Sequence, residues 1–356
     1  MDSFVQLFWR PCMKLLDIQG RSGHSALAIG ERLENLAAYI PENTVIITDT
    51  NVRSLYQGQF PTCPVIEIGT GEAVKTLDTV QTIFQRLVEL EVDRSWFVVG
   101  IGGGIVCDIT GFVASTYLRG IRFGFVSSTL LAQVDASVGG KNGVNFSGYK
   151  NMVGVFNQPE FVICDMELLR TLPQREVLSG FAEIIKHACI EDMAMFEFLE
   201  EFHGLALTLD PDTITRLVHD SIVIKSTIVN RDEREQGERR LLNFGHTFGH
   251  AFEKVLRVPH GEAVAAGMVA AATLSVNRGY LSYGDAVRIE ELLKKVNLPT
   301  RFSISRKMVL DALRRDKKRS GEVINFVLLK GVGSAFVEAI PIIELEAFMD
   351  QVDLFN

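Results

Sequence analysis

The chain has 356 residues, of which 47% are hydrophobic and 22% charged, enough to bury one large core or two medium ones, and two domains is the better expectation. A net charge of −8 argues against a nucleic-acid partner, which would need a basic stripe, so any anionic ligand must meet a local cluster of Lys and Arg. Five cysteines, at 12, 63, 107, 164 and 189, are scattered and never paired as Cys-x-x-Cys, which disfavours a disulfide framework or a cysteine zinc cage and fits a reducing cytoplasm.

Along the chain, short β-branched runs alternate with helical patterns. Strands are expected at 45–48, 65–68, 96–99 and 123–126, and amphipathic helices at 76–90 and 105–117. This order predicts an α/β, Rossmann-like domain with a mostly parallel sheet, in which ligands sit at the carboxyl ends of the strands. After Pro173 the periodicity becomes helical, over 177–190, 212–230, 244–256 and 262–278, with one late hairpin from 323–329 through Lys330-Gly-Val-Gly333 into 335–340. The division expected is therefore an α/β domain over 1–172 and a mainly α-helical domain over 173–356. The longest apolar stretch, 263–276, is Ala-rich and shorter than the about 20 residues of a bilayer span, and no basic, apolar leader is recognised, so a soluble cytoplasmic protein without a membrane partner is expected. The stretch 1–17 says little.

Val98-Val-Gly100-Ile-Gly102-Gly103-Gly104 follows a buried strand and runs into a helix, which would aim bare backbone N–H groups and the positive end of a helix dipole at a pyrophosphate. The spacing is not Gly-x-Gly-x-x-Gly, because position 105 is Ile. The plain alternative is that the glycines only permit a tight strand-to-helix turn. Asp49 and Asn51 end a strand and are candidates for ribose or base contacts, with turn chemistry as the alternative; Ser128, Thr129 and Asp135 extend the same rim.

Arg119, Lys141 within Gly139-Gly-Lys-Asn-Gly143, Lys150 and Asn151 are expected in loops following the sheet strands. Glycine on both sides of Lys141 suggests close backbone approach to a ligand. Glu183 and Lys186, three apart on a helix, form either an ordinary ion pair or a metal-binding carboxylate beside a phosphate contact. Three of the seven histidines fall within fifteen positions, in Asn243-Phe-Gly-His246-Thr-Phe-Gly-His250 and His260-Gly-Glu262. His246 and His250 are one helical turn apart, a metal-site spacing, but no glutamate follows the first, which disfavours the metalloprotease route. A pair of histidines merely satisfying core hydrogen bonds is the alternative. Lys225, Glu235, Arg239 and Asn243 precede the histidines and Lys318 follows them; so many cations in an acidic chain point to a substrate with more than one negative charge.

In order along the sequence, Gly102-Gly-Gly-Ile-Val-Cys-Asp108, Ser128-Thr-Leu-Leu-Ala-Gln-Val-Asp135, Gly139-Gly-Lys-Asn-Gly-Val-Asn145, Lys150-Asn-Met-Val-Gly154, Ala182-Glu-Ile-Ile-Lys186, Leu242-Asn-Phe-Gly-His-Thr-Phe-Gly-His250 and His260-Gly-Glu262 resemble the 3-dehydroquinate synthase family. The resemblance implies an NAD-dependent lyase that also requires Zn2+ or Co2+. It implies conversion of 3-deoxy-D-arabino-heptulosonate 7-phosphate into 3-dehydroquinate and phosphate, a shikimate-pathway step, through transient oxidation, phosphate elimination, re-reduction and intramolecular aldol closure. A homodimer is implied as well. Carried over by motif, Glu183, His246 and His260 become the metal ligands, whereas the spacing alone pairs His246 with His250; the resemblance gives His250 to substrate proton transfer. Glu235 resembles a second acid/base group. Lys141, Asn151, Lys186, Lys225, Arg239, Asn243 and Lys318 resemble substrate contacts, with Lys141 and Lys186 also close to the chemistry, and Arg119 reaches across the dimer. The NAD positions are Asp49, Asn51, Glu72, Lys75, Gly103, Gly104, Asp108, Ser128, Thr129, Asp135, Lys150 and Thr171. Departures are modest: Ser127-Ser128 stands where the family usually has Pro-Thr, and Cys107 where it often has Gly. Rival expectations are another sugar-phosphate cyclase, a polyol or glycerol dehydrogenase of the same architecture, and a non-catalytic module that kept the scaffold.

Overall fold

The computed structural model describes residues 14–20, 22–314, 319–320 and 323–351. The chain divides into two compact units, Met1–Thr171 and Leu172–Asn356.

The first unit is built on nine strands: β1 (Lys14–Gly20), β2 (Gly23–Ile29), β3 (Thr44–Asp49), β4 (Val65–Ile68), β5 (Phe97–Gly102), β6 (Arg122–Ser127), β7 (Lys141–Phe146), β8 (Tyr149–Phe156) and β9 (Phe161–Cys164). Seven form one sheet in the order β1-β2-β9-β6-β5-β3-β4, parallel throughout except for the edge strand β1. Strands β5 and β9 are buried along their whole length, which is why they read as unbroken apolar runs. Phe97 on β5 stacks on Phe161 on β9 with ring centroids 5.7 Å apart, across the intervening strand β6. Gly124 on β6 makes room for this: a Cβ there would lie 2.6 Å from the Phe161 ring.

Among the described residues, this unit holds three α-helices: α1 (Thr50–Tyr56), α2 (Leu77–Glu89) and α3 (Gly104–Thr116). In α2, Thr76 caps the start by accepting the N–H of Thr79, and Val80, Ile83 and Leu87 recur on one face and are buried. Each such side chain stabilises by about 1.5–3 kcal/mol through the apolar surface it removes from water. The helix ends where Glu91 turns left-handed, φ 54.

Strands β7 and β8 correct the expectation that Lys141, Lys150 and Asn151 sit in loops: Lys141 opens β7, and Lys150 and Asn151 lie on β8, in a separate antiparallel hairpin. Ser147 and Gly148 both have positive φ, 49 and 78, between the paired residues Phe146 and Tyr149, so this is a two-residue turn whose twist matches that of the flanking strands. Gly143 faces Gly154 so closely that a Cβ on Gly143 would lie 2.7 Å from the Val153 carbonyl oxygen. Gly143, two residues after Lys141, thus serves strand pairing.

The second unit is mainly helical: α4 (Gln174–Glu191), α5 (Met193–Leu207), α6 (Pro211–Arg231), α7 (His246–Leu256), α8 (His260–Asn277), α9 (Tyr283–Lys295), α10 (Arg306–Leu313) and α11 (Ile342–Gln351), with a small sheet of β10 (Arg319–Ser320), β11 (Val323–Gly331) and β12 (Ser334–Pro341). The hairpin expected near 323–340 is β11–β12. Several boundaries shift by one to three residues; α7 starts at His246 rather than 244, because Gly245 takes a left-handed conformation, and α8 starts at His260, just after Pro259. The apolar stretch 263–276 lies in α8, which is buried on nearly every side, and among the described residues no helix is long and apolar enough to cross a membrane.

Candidate functional site

In the N-terminal unit the parallel strands β3, β5 and β6 end together at Asp49, Gly102 and Ser127, and most of the expected cofactor positions gather at this edge. Gly103 is the N-cap of α3 and no side chain caps the helix start. The glycines are also needed for packing. A Cβ on Gly102 would lie 2.5 Å from Val106 Cγ2, one on Gly103 2.9 Å from Thr129 Cγ2, and one on Gly104 2.9 Å from Ala136 Cβ. The turn leaves no space for side chains, and the backbone at this helix N-terminus is bare.

Asp49 accepts the N–H of Val52 at 2.9 Å and so caps α1; its burial pushes its carboxyl up, against the hydrogen bonds from Val52 and Asn51 that lower it. Thr171 lies 2.6 Å from the hydroxyl of Tyr56. Ser128 is buried, its N–H donating to Gly102 O, and Thr129 Oγ1 accepts from Ala132 N at 3.1 Å. Asp135 lies in a π-helical turn, Ala132–Ala136, and Arg119 follows α3 in a left-handed turn, φ 68. A polar network joins several of the rest. Buried Lys75 pairs with Asp108 and donates to Asn151 Oδ1 at 2.6 Å. Glu72 accepts from Asn145 Nδ2 at 2.8 Å, and Lys150 Nζ is 3.8 Å from the same carboxylate. Asn145 was not among the expected site residues. It also accepts the Asn151 N–H at 2.9 Å, and its own N–H reaches the Lys75 carbonyl, so it stitches the hairpin to this network.

In the C-terminal unit three helices converge. Glu183 and Lys186 lie on α4, essentially without solvent contact and paired; His246 opens α7 and His260 opens α8. Glu183 Oε1 is 3.6 Å from His246 Nε2 and 3.5 Å from His260 Nε2, and no group hydrogen-bonds it by normal geometry. Burial alone would raise the Glu183 carboxyl, but the Lys186 ammonium and the two imidazoles hold it well below the usual range. His246 Nδ1 lies 3.2 Å from the Phe244 carbonyl, and His260 Nδ1 lies 3.4 Å from Glu253 Oε2. Burial alone would lower the His260 imidazole, but Glu183 and Glu253 push it up to about 9; with Nδ1–H donated in both rings, Nε2 is the nitrogen whose proton a divalent ion would displace to take the lone pair. One carboxylate oxygen and two imidazole nitrogens thus face one another, which is the donor set a divalent ion such as Zn2+ requires. His250, which spacing alone pairs with His246, stands edge-on to it with centroids 5.3 Å apart and falls outside the cluster of Glu183, His246 and His260.

Glycine backbones bring these helices together. A Cβ on Gly267 of α8 would lie 2.0 Å from the Gly245 carbonyl oxygen, and one on Gly261 would lie 2.4 Å from Ser179 Cα on α4. A left-handed Arg257 ends α7 and Pro259 starts α8, so only a short link separates the two histidine-bearing helices.

The remaining expected residues of this unit lie on α6 and the segment after it. Lys225 is buried on α6. Glu235 has φ 59 and accepts from the Asn243 side chain; Arg239 is buried and donates to the Glu233 carbonyl. Lys318 lies outside the described residues. Glu253 and Asp232 escaped the sequence reading. Glu253 had a signal, since it falls seven residues after His246 and three after His250, on the same helical face.

The family models for the N-terminal and C-terminal parts of 3-dehydroquinate synthase match residues 65–179 and 180–319. The chain belongs to the 3-dehydroquinate synthase family. A curated 3-dehydroquinate synthase of Thermoanaerobacter pseudethanolicus is 42% identical over 310 residues, covering 83% of this chain and 87% of that protein. Among solved structures, a 2-deoxy-scyllo-inosose synthase complexed with carbaglucose-6-phosphate, NAD+ and Co2+ superposes with TM-score 0.84 at 26% identity, covering 95% of this chain and 100% of that one. A 2-epi-5-epi-valiolone synthase from Streptomyces hygroscopicus with NAD+ and Zn2+ bound gives TM-score 0.84 at 26% identity over 95% of this chain and 98% of its own. This chain and these cyclases thus share a fold.

Proposed function

We propose that the chain forms 3-dehydroquinate with release of phosphate, from the 3-deoxy-D-arabino-heptulosonate 7-phosphate that its family resemblance implies. The carrying observation is the convergence of Glu183, His246 and His260 beside buried Lys186, in a chain matched by its family over 65–319. A divalent ion held by those three residues would supply Lewis-acid polarisation of a substrate oxygen, and NAD at the β5–α3 turn would supply a hydride acceptor that is regenerated within each cycle.

The chain's own residues divide the remaining work. Lys186 keeps Glu183 ionised, and the Phe244 carbonyl and Glu253 orient the two imidazoles whose Nε2 atoms face it. Asn243 donates to the carboxylate of Glu235, which is assigned to exchange a proton with substrate, and His250 is the second proton-transfer group. Lys225, Arg239 and Lys318, with Lys141 and Asn151 from the hairpin, are assigned to the substrate's carboxylate, phosphate and hydroxyl groups, where fixed cations position a polyanion. Asp49, Asn51, Glu72, Lys75, Gly103, Gly104, Asp108, Ser128, Thr129, Asp135, Lys150 and Thr171 are assigned to NAD. The assembly expected is a homodimer, with Arg119 serving the neighbouring subunit's phosphate site.

The test is to incubate purified protein with Zn2+ or Co2+, the heptulosonate phosphate and NAD well below substrate concentration. Phosphate released in large excess over NAD, with no growth of NADH absorbance, is the expected result. NADH accumulating in step with product would replace this reading with a polyol dehydrogenase, and turnover of a different sugar phosphate alone would replace it with another cyclase.

A further inference from the structure

Asp232 ends α6, and its carboxylate gathers the backbone of the segment that follows. Oδ1 accepts the N–H of Gln236 at 3.0 Å, while Oδ2 accepts the N–H groups of Gly237 at 2.7 Å and Arg239 at 3.1 Å. Three donors on one carboxylate form a charge-assisted clasp. Burial would raise this carboxyl, but the three N–H groups outweigh it and lower it, so the clasp stays ionised near neutral pH. An exposed ion pair, Arg231 with Glu238 at 2.7 Å, spans the same stretch from outside.

The clasp has a function beyond closing a helix because of what the segment carries. Glu235 lies between Asp232 and its three bonded amides, in a left-handed conformation that a non-glycine residue adopts only when its surroundings impose it. Arg239 is both clasped through its N–H and tied through its guanidinium to the Glu233 carbonyl. Asn243, at the end of the same segment, contacts Glu235. All three residues assigned to substrate here are therefore held by one clasp whose side chain is not itself assigned to ligand.

We infer that Asp232 is a positioning residue for the reaction, fixing Glu235 and Arg239 in their working geometry through the 236–239 backbone. The inference rests on the assignment of Glu235 and Arg239 to substrate given above. Misplacement of a reacting group by about 1 Å costs on the order of 10²-fold in rate. Asp232→Asn keeps the side chain's shape but replaces one acceptor oxygen with a donor, so at least one N–H of the clasp loses its partner.

The experiment compares Asp232→Asn with wild type and Glu235→Gln for kcat, KM, bound metal and hydrogen exchange of the backbone amides. For Asp232→Asn the expected result is a kcat lower by about 10–100-fold with KM within about threefold and metal content unchanged. Exchange should quicken at Gln236, Gly237 and Arg239 while the amides of α4 and α8 stay protected. Should this variant not fold, Asp232→Glu, which keeps the charge and shifts the oxygens by one methylene, gives the same readouts. A kcat within twofold of wild type despite lost protection at 236–239 overturns the inference, and so does a loss of kcat accompanied by lost metal or lost protection throughout. A fully active Glu235→Gln overturns the assignment on which the inference rests, and the inference with it; an inactive Glu235→Gln beside a fully active Asp232→Asn overturns the inference alone.

Discussion

The backbone carbonyl of Phe244 lies 3.2 Å from Nδ1 of His246, two residues further on. A carbonyl oxygen can only accept, so Nδ1 carries a proton and Nε2, 3.6 Å from Glu183 Oε1, is the nitrogen left to bind a metal when the ring is neutral. His260 repeats the arrangement with a carboxylate in place of the carbonyl. One ring is therefore oriented by main chain and the other by a side chain that can be replaced.

Glu253→Ala removes the acceptor for His260 Nδ1–H and leaves that ring free to rotate. Zn2+ affinity, measured by competition with a chromogenic chelator, should weaken about 10–100-fold. Glu253→Gln retains an acceptor oxygen and should fall between that variant and wild type. Wild-type affinity in Glu253→Ala would show that Glu253 does not support the ligand.

Gly267→Ala places a methyl carbon 2.0 Å from the Gly245 carbonyl oxygen and 2.8 Å from the Gly249 nitrogen, both of them main chain that cannot swing aside. Overpacking of this kind costs about 1–3 kcal/mol or more. Thermal stability and metal affinity should fall together, because Gly245 directly precedes the candidate ligand His246. Gly204→Ala on α5 is the matched control: a Cβ there meets nothing within 4 Å, and the helix should gain up to about 1 kcal/mol. Equal melting temperatures for Gly267→Ala and wild type would contradict the crossing described here.

Thiol reactivity gives an independent check of the fold. Burial pushes the thiol of Cys164 up to about 12, and it raises those of Cys107 and Cys189 as well. Cys63 is partly exposed. Under native conditions near pH 8, a disulfide-exchange reagent should therefore titrate Cys63 and leave Cys107, Cys164 and Cys189 silent until the protein unfolds. Rapid native labelling of any of those three, located by peptide mass analysis, would contradict the packing of α3, β9 and α4.

The parallel sheet was legible because buried central strands must be apolar over their full length, and runs such as 96–99 and 123–126 have few other uses. The late hairpin was legible from Lys330-Gly-Val-Gly333. The β7–β8 hairpin was missed although Ser147-Gly148 is a turn signal, since its strands carry Asn, Lys and Gly in place of an alternating apolar pattern and resemble a loop. Among the candidate ligands, the helical spacing of His246 and His250 is visible in the sequence but points to a residue outside the cluster of Glu183, His246 and His260. What brings Glu183 and His260 to His246 is the approach of α4 and α8 to α7, a tertiary fact that no local period encodes. Asp232 stayed hidden for a related reason: its partners are backbone amides, which every residue type supplies, so no side-chain motif marks them.

Because His246 and His260 stand at the first positions of their helices, their spacing is dictated by how closely two main chains may pass, and that is governed by residues with no functional group at all. A saturation library across this unit should accordingly find Gly245, Gly261 and Gly267 as intolerant of replacement as the ligands themselves. Transplanting the histidines and the glutamate onto another helical scaffold without those gaps would carry over the chemistry's vocabulary but not its grammar.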